Sequence, residues 1–197
     1  GHKALIANTT GTRNVALGAS SQLANTTGNY NVSVGNNSLA SNTTAIKNTA
    51  IGDYALNSNT TGASNSSVGQ AAMQLNTTGD NNTAMGEGAL NANTTANVAL
   101  GRDAMLSNTT SSNNTALGAS ALRLNTTGTL NTAVGTSALA TNTTASYNTA
   151  VGNSALLANT TGANNVAVGN YSLDANTTGN YNIGIGYEAL SANTTAG

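Results

Sequence analysis

The chain has 197 residues, a formal net charge of −1 and only 6% charged residues, and it contains no Phe, Trp, Pro or Cys. A globular core of this length normally contains several aromatic residues, and a disordered chain is normally rich in charge or proline, so the composition argues against both. Because Val, Ile and Leu recur at regular positions, we expect an ordered, repetitive protein.

The few charges exclude several kinds of partner. The basic residues are scattered and form no patch that could follow a phosphate backbone, so we expect no nucleic-acid partner. No apolar run approaches the length of a membrane-spanning helix, so we expect no membrane span. The basic residues are Lys3, Arg13, Lys47, Arg102 and Arg123.

From the first residues to the last, the triplet Asn-Thr-Thr recurs every 17 residues. The one exception is the 15-residue step after Asn93, where two residues are missing between Thr95 and Asn97, which predicts a loop there. A fixed period over the whole chain predicts a solenoid or array. We therefore expect 1–197 to be a single repeat array and a segment of a longer fibrous protein. The triplets begin at Asn8, Asn25, Asn42, Asn59, Asn76, Asn93, Asn108, Asn125, Asn142, Asn159, Asn176 and Asn193.

Each repeat also contains Asn-x-small-apolar-Gly, as at 165–169. The alternation predicts a short strand with Val166 and Val168 on one side and Ala167 on the other. An Ala-Leu-type pair follows three residues after each glycine and predicts a second short segment. We expect Val166, Val168 and Leu173 to form the core of this repeat.

The segments between these strands carry turn chemistry. Asn and Gly tolerate positive φ, and Asn and Thr side chains bond to nearby backbone, so Asn-Thr-Thr-Gly predicts a turn. A helix is excluded because each repeat has glycine at its middle and Asn-Thr-Thr at its boundary, and these residues are poor helix formers. We expect an all-β fold, a parallel β-solenoid or β-roll of about eleven 17-residue rungs. A rung is one repeat.

The middle strand position is never larger than alanine or serine. A row of such residues along one edge would let a second chain approach closely, and we expect association, most plausibly as a trimer. The alternative is that the row faces a crowded interior corner of its own chain. The predicted subunit-contact edge comprises Ala16, Ala50, Ala84, Ala99, Ala116, Ala133, Ala150 and Ala167.

Every Asn-Thr-Thr triplet is also an acceptor sequence for N-glycosylation. Twelve identical acceptors at equivalent turns predict glycan attachment at the twelve triplet asparagines. The alternative is that a solenoid turn uses Asn and Thr only for hydrogen bonds between rungs. Further acceptor sequences begin at Asn31, Asn36, Asn65, Asn81, Asn113 and Asn170.

Candidate catalytic chemistry is sparse. His2 is the only histidine, and the six acidic residues form no recurring pair. We expect no enzyme activity, no catalytic or metal site and no cofactor. Exposed tyrosines such as Tyr30 and Tyr171 could stack on sugars, or they could pack beside a neighbouring rung.

The sequence of the repeat resembles known surface proteins. Asn-Val-Ala-Val-Gly at 165–169 and its counterparts are similar to the Ser-Val-Ala-Ile-Gly-type repeats in head domains of trimeric autotransporter adhesins. The longer unit Asn-Thr-Ala-Val-Gly-x-x-Ala-Leu-x-x-Asn-Thr-Thr-Gly also resembles repeats of chlorovirus surface glycoproteins and phage-type tail fibres. The adhesin resemblance implies a trimer of left-handed parallel β-rolls that binds host surfaces.

These features predict a structural or adhesive fibre module that is extracellular, on a cell surface or on a virion surface. We expect a homo-oligomer, most plausibly a trimer, with polar turns that carry covalent glycans or meet a cell-surface or carbohydrate receptor. The main alternative is a self-assembling extracellular filament whose subunits stack end to end. An ice-binding solenoid is a further alternative. It is the weaker one, because ice-binding faces favour Thr-x-Thr, whereas the two threonines of each triplet here are adjacent.

Overall fold

The computed structural model of the chain describes residues 1–92 and 94–195. These residues contain eleven three-residue strands and no helix. The chain divides into two compact units, Gly1–Ala96 and Asn97–Gly197. The first unit contains β1 (Val15–Leu17), β2 (Val32–Val34), β3 (Thr49–Ile51), β4 (Ser66–Val68) and β5 (Thr83–Met85). The second contains β6 (Val98–Leu100), β7 (Thr115–Leu117), β8 (Thr132–Val134), β9 (Thr149–Val151), β10 (Val166–Val168) and β11 (Ile183–Ile185).

Within each unit, successive strands pair in parallel and in full register. Val32 pairs with Thr49 in the first unit, and Thr149 pairs with Val166 in the second. Because paired residues are one repeat apart, each rung places like residues on like. The sequence prediction of an all-β parallel β-solenoid with 17-residue rungs is thus confirmed for each unit.

The inward and outward sides of the strands are the reverse of those we predicted. Ala150 and Ala167, the middle residues of two neighbouring strands, are fully buried inside the solenoid. Val166 is only half-buried and Val168 is exposed, so the prediction that these valines form the core is wrong. Leu173 is fully buried, as predicted. Small inward residues follow from the narrow rung, whose interior is already occupied by a leucine and two asparagines.

The Ala-Leu pair, predicted as a second short segment, forms turns. Leu156 is fully buried with a left-handed φ of 52°. Its N–H donates to the carbonyl of Ser172 in the next rung at 3.0 Å. A left-handed non-glycine residue costs roughly 1–2 kcal/mol, while burial of a leucine side chain contributes about 1.5–3 kcal/mol. Packing therefore offsets the backbone strain at this position.

The glycine after each strand is required by both its backbone angle and its stacking. Gly152 has a φ of 137°. A Cβ atom there would lie 2.4 Å from the carbonyl oxygen of Gly169 in the next rung. Only glycine permits this angle and this close approach between rungs.

Candidate functional site

The asparagines of the Asn-Thr-Thr triplets form an internal ladder, which we name the triplet ladder. The side-chain Nδ2 of Asn159 donates to Oδ1 of Asn142 at 3.0 Å and to the carbonyl of Gly162 at 2.9 Å. Asn142 donates in the same way to Asn125 at 2.9 Å and to Ala145 at 3.0 Å. The first unit repeats the pattern, with Asn42 donating to Asn25 at 2.7 Å. Most described rungs therefore contribute one buried amide that bonds backwards to the preceding rung; the side-chain nitrogen of Asn108 is the exception and donates no hydrogen bond within the described residues.

The predicted glycosylation of the triplet asparagines stays a prediction, and this ladder places most of them in the interior. A sugar on Nδ2 would need space that the interior lacks and, at every buried member except Asn108, would replace a hydrogen that is already donated. Asn8 and Asn193 are half-buried, and Asn93 lies outside the described residues. The fully buried triplet asparagines are Asn25, Asn42, Asn59, Asn76, Asn108, Asn125, Asn142, Asn159 and Asn176.

A second ladder is formed by the asparagine that precedes each strand, and sequence reasoning did not identify it. The side-chain oxygen of Asn148 accepts the backbone N–H of Asn165 at 2.9 Å. The Nδ2 of Asn148 donates to the carbonyl of Gly162 at 2.8 Å, which closes the corner after the Asn-Thr-Thr turn. The recurrence of Asn at this position in every repeat was the available signal.

The predicted subunit-contact edge lies inside the solenoid. Ala50, Ala84, Ala99, Ala116, Ala133, Ala150 and Ala167 are all at most 1% exposed. Ala16, in the first strand, is half-buried. These side chains touch their own rungs, so they offer no surface to a second chain. The alternative of a crowded interior corner is the one that this burial supports.

The surface that the strands do present consists of the first and third residue of each strand, and we name it the outer strand face. Every member is Val, Ile, Leu, Met, Thr or Ser, and none is charged. Met85 is 48% exposed in the first unit, and Leu117 is 46% exposed in the second. Each unit therefore carries a stripe of uncharged, largely apolar side chains that is repeated in every rung.

The two threonines of each triplet have different environments. The hydroxyl of the first, for example Thr160, donates to the carbonyl of Thr177 in the next rung at 3.1 Å. The second, for example Thr161, is exposed. The second threonine is exposed in every described triplet, whereas the first is half-buried in most triplets and exposed in some, such as Thr109.

Exposed tyrosines lie at the corners of several rungs. Arg13 stacks over the ring of Tyr30 at 5.1 Å, and its Nη1 donates to the tyrosine hydroxyl at 2.6 Å. Tyr171 and Tyr187 meet edge to face with ring centroids 6.4 Å apart. A hydrogen bond to Glu188, together with the negative charge of that carboxylate, raises the pKa of Tyr187. Both pairs join neighbouring rungs, while each ring keeps an exposed surface.

Over residues 1–92 and 94–195, no three His, Cys, Asp or Glu side chains come together as metal ligands would. The same residues include no helix of the length and apolarity needed to cross a membrane. Comparison with family models, curated proteins and solved structures gives no match to this chain.

Proposed function

We propose that this chain is a structural or adhesive module of an extracellular fibre on a cell or virion surface, and that copies of it associate, three together, through the outer strand face. The observation that carries this proposal is the uncharged outer strand face, which repeats in register from rung to rung. In this role, the internal ladders provide stiffness and the corners of the rungs provide the display surface.

The outer strand face has the properties of a covered surface. Parallel sheets occur almost only with both faces covered, because their strands are apolar on both sides. A protein surface that faces water normally mixes both signs of charge and avoids long apolar stripes. All eleven charged Lys, Arg, Asp and Glu side chains of this chain lie away from the outer strand face.

Copies of the same chain are the occupant that fits best. The outer strand face repeats with the period of the rungs, about 4.7–4.9 Å along the sheet. A second copy aligned with the first has the same period, so one favourable contact recurs in every rung. The resemblance to trimeric adhesin heads sets the expected number of chains at three.

The display role is supported by the corners between the strands. Thr161 and its equivalents present hydroxyl and methyl groups, and Tyr147 and Tyr181 present largely exposed rings. Aromatic rings beside hydroxyls are the usual chemistry for contacts with carbohydrate or with a polar protein surface. A cell-surface or carbohydrate receptor is therefore the proposed partner.

A second candidate is an end-to-end filament. The triplet ladder is directional, since its side-chain amides donate to the preceding rung and not to the following one, as Asn159 does to Asn142. One rung can therefore present acceptors to a following rung of another chain, as open strand edges do. An ice-binding role has weaker support, because the two threonines of each triplet are adjacent and do not form a Thr-x-Thr array.

Native mass spectrometry and electron microscopy of the purified chain test the proposal. We expect particles of three chains that form discrete rods. A chain that stays monomeric at high concentration would contradict association through the outer strand face. Fibrils of indefinite length would favour the end-to-end filament.

A further inference from the structure

Four glycosylation acceptor sequences differ in their surroundings from the others that the structure describes. Of the six outside the Asn-Thr-Thr triplets, Asn31 and Asn65 are buried in the second ladder. The side chain of Asn31 donates to Ala45 at 2.8 Å, and that of Asn65 donates to Gly79 at 2.8 Å. The remaining four lie in exposed corners and belong to neither ladder; they are Asn36, Asn81, Asn113 and Asn170.

The side-chain nitrogens of these four residues are available for reaction. Those of Asn36, Asn81 and Asn170 donate no hydrogen bond within the described residues, and Asn170 uses only its oxygen, which accepts from the N–H of Asn153 at 3.0 Å. Asn113, which is exposed, donates only to the hydroxyl of the neighbouring Ser112, at 3.3 Å. Modification of these nitrogens therefore breaks no buried hydrogen bond.

The corners that hold these asparagines have room for a large substituent. Asn36 and Asn170 directly follow the glycine that ends a strand, a position that Glu87 and Arg102 occupy in other rungs with exposed side chains. Asn81 and Asn113 directly precede the asparagine of the second ladder. That position is occupied elsewhere by exposed large residues, namely Arg13, Tyr30 and Lys47.

We propose that Asn36, Asn81, Asn113 and Asn170 are the N-glycan acceptor sites of the folded chain. In the reaction, a glycosyltransferase that recognises Asn-x-Ser/Thr binds a sugar activated as a diphosphate ester. The side-chain nitrogen bonds to the anomeric carbon, the bond from that carbon to the diphosphate oxygen breaks, and the diphosphate leaves. The nitrogen loses one proton to a base of the transferase.

These sites are independent of the proposed fibre role, because they depend only on the surroundings of each asparagine within one chain. The test treats the folded, purified chain with a soluble N-glycosyltransferase and nucleoside-diphosphate glucose, and maps glucose by peptide mass spectrometry. We expect glucose on the four exposed asparagines and none on Asn142 or Asn159. The denatured chain, treated identically, gains glucose on the triplet asparagines as well.

Matched variants test whether glucose incorporation depends on these four acceptor sequences or on exposed asparagines in general. The combined substitution of the four asparagines by Gln abolishes incorporation into the folded chain. Asn164→Gln, at an exposed corner equivalent to that of Asn113 but outside any acceptor sequence, leaves incorporation unchanged. Glucose on Asn142 or Asn159 of the folded chain overturns the proposal. So does a folded chain that lacks glucose at the four sites when the denatured chain carries it there.

Discussion

The side-chain nitrogen of Asn159 donates to the side-chain oxygen of Asn142, 17 residues earlier, at 3.0 Å, and both residues are fully buried. The hydrogen bond joins two rungs through their interior, parallel to the backbone bonds of the sheet. A buried amide that satisfies both of its hydrogens in this way stabilises the stack, and losing its partner is costly. The triplet ladder is therefore a structural element of the solenoid.

Replacement of Asn142 by Ala is expected to destabilise the second unit. It removes the acceptor of the Asn159 side chain and the donor to the Asn125 side chain. Each buried polar group that is left without a hydrogen-bond partner costs about 1–3 kcal/mol of stability. The free energy of unfolding, measured by chemical denaturation with circular dichroism, is expected to fall by at least that amount.

The control for the ladder is Asn36→Ala, since Asn36 is exposed and its side chain makes no hydrogen bond to any residue that the structure describes. Its effect is expected to stay within about 0.5 kcal/mol, as for most surface substitutions. Equal losses in both variants would contradict a structural role for the triplet ladder.

The substitution Ala150→Val tests the interior row of small residues. Ala150 is fully buried between Ala133 and Ala167 of the neighbouring strands, so two extra methyl groups overpack the rung. Overpacking of this kind costs about 1–3 kcal/mol. We expect a lower midpoint of chemical denaturation, measured at a concentration where the chains are separate.

The matched change is Ala19→Val at an exposed corner, which is expected to leave the denaturation midpoint nearly unchanged. If Ala150→Val alters the association of chains while the stability of the single chain is kept, the alanine row is a contact surface after all.

The substitution Leu117→Lys tests the outer strand face. Leu117 is exposed and lies between Leu100 and Val134 of the paired strands, so a lysine there places a charge in the middle of the stripe. Burial of an unpaired charge in an interface is costly. We expect the circular dichroism spectrum to be retained and the particle mass, measured by light scattering, to fall to that of one chain.

Leu130→Lys is the control for this prediction. Leu130 is 47% exposed, close to the exposure of Leu117, but it lies at a corner away from the outer strand face. We expect its particle mass to equal that of the unchanged chain. Loss of association in both variants would show that general surface charge, and not this face, controls the assembly.

The substitution Gly152→Ala tests the stacking of the glycines. The added Cβ would meet the carbonyl of Gly169 at 2.4 Å, and the φ of 137° is strained for any other residue. Backbone strain alone costs about 1–3 kcal/mol, and the clash adds to it. A lower thermal midpoint is expected, measured by scanning calorimetry.

The comparison for the glycine is Ser137→Ala, at a left-handed position with a φ of 57° that other rungs fill with many residue types. Only a small change in the thermal midpoint is expected there. A large fall in Ser137→Ala and none in Gly152→Ala would contradict the stacking argument.

Single repeats were enough to recognise the acceptor sequences, but they could not show which of the asparagines are buried. The Asn-Thr-Thr triplet at Asn159 has the same local sequence whether it carries a sugar or forms a ladder. The difference lies in Asn142 and Asn176, which are one rung away in sequence but adjacent in space. Burial by neighbouring rungs is a property of the stack, so local acceptor sequences could not distinguish Asn159 from Asn170.

The sequence by itself determined the period, the positions of the strands and the parallel stacking of like residues. A 17-residue repeat with a strand such as Thr149–Val151 and a glycine after it allows little else. Only the tertiary structure decided which side of that strand faces inward. A strand alternates with period two, so large-small-large has no inherent inner side. The volume that Leu156 and the two ladder asparagines occupy inside the rung leaves room for Ala150 alone, and this turns Thr149 and Val151 outward.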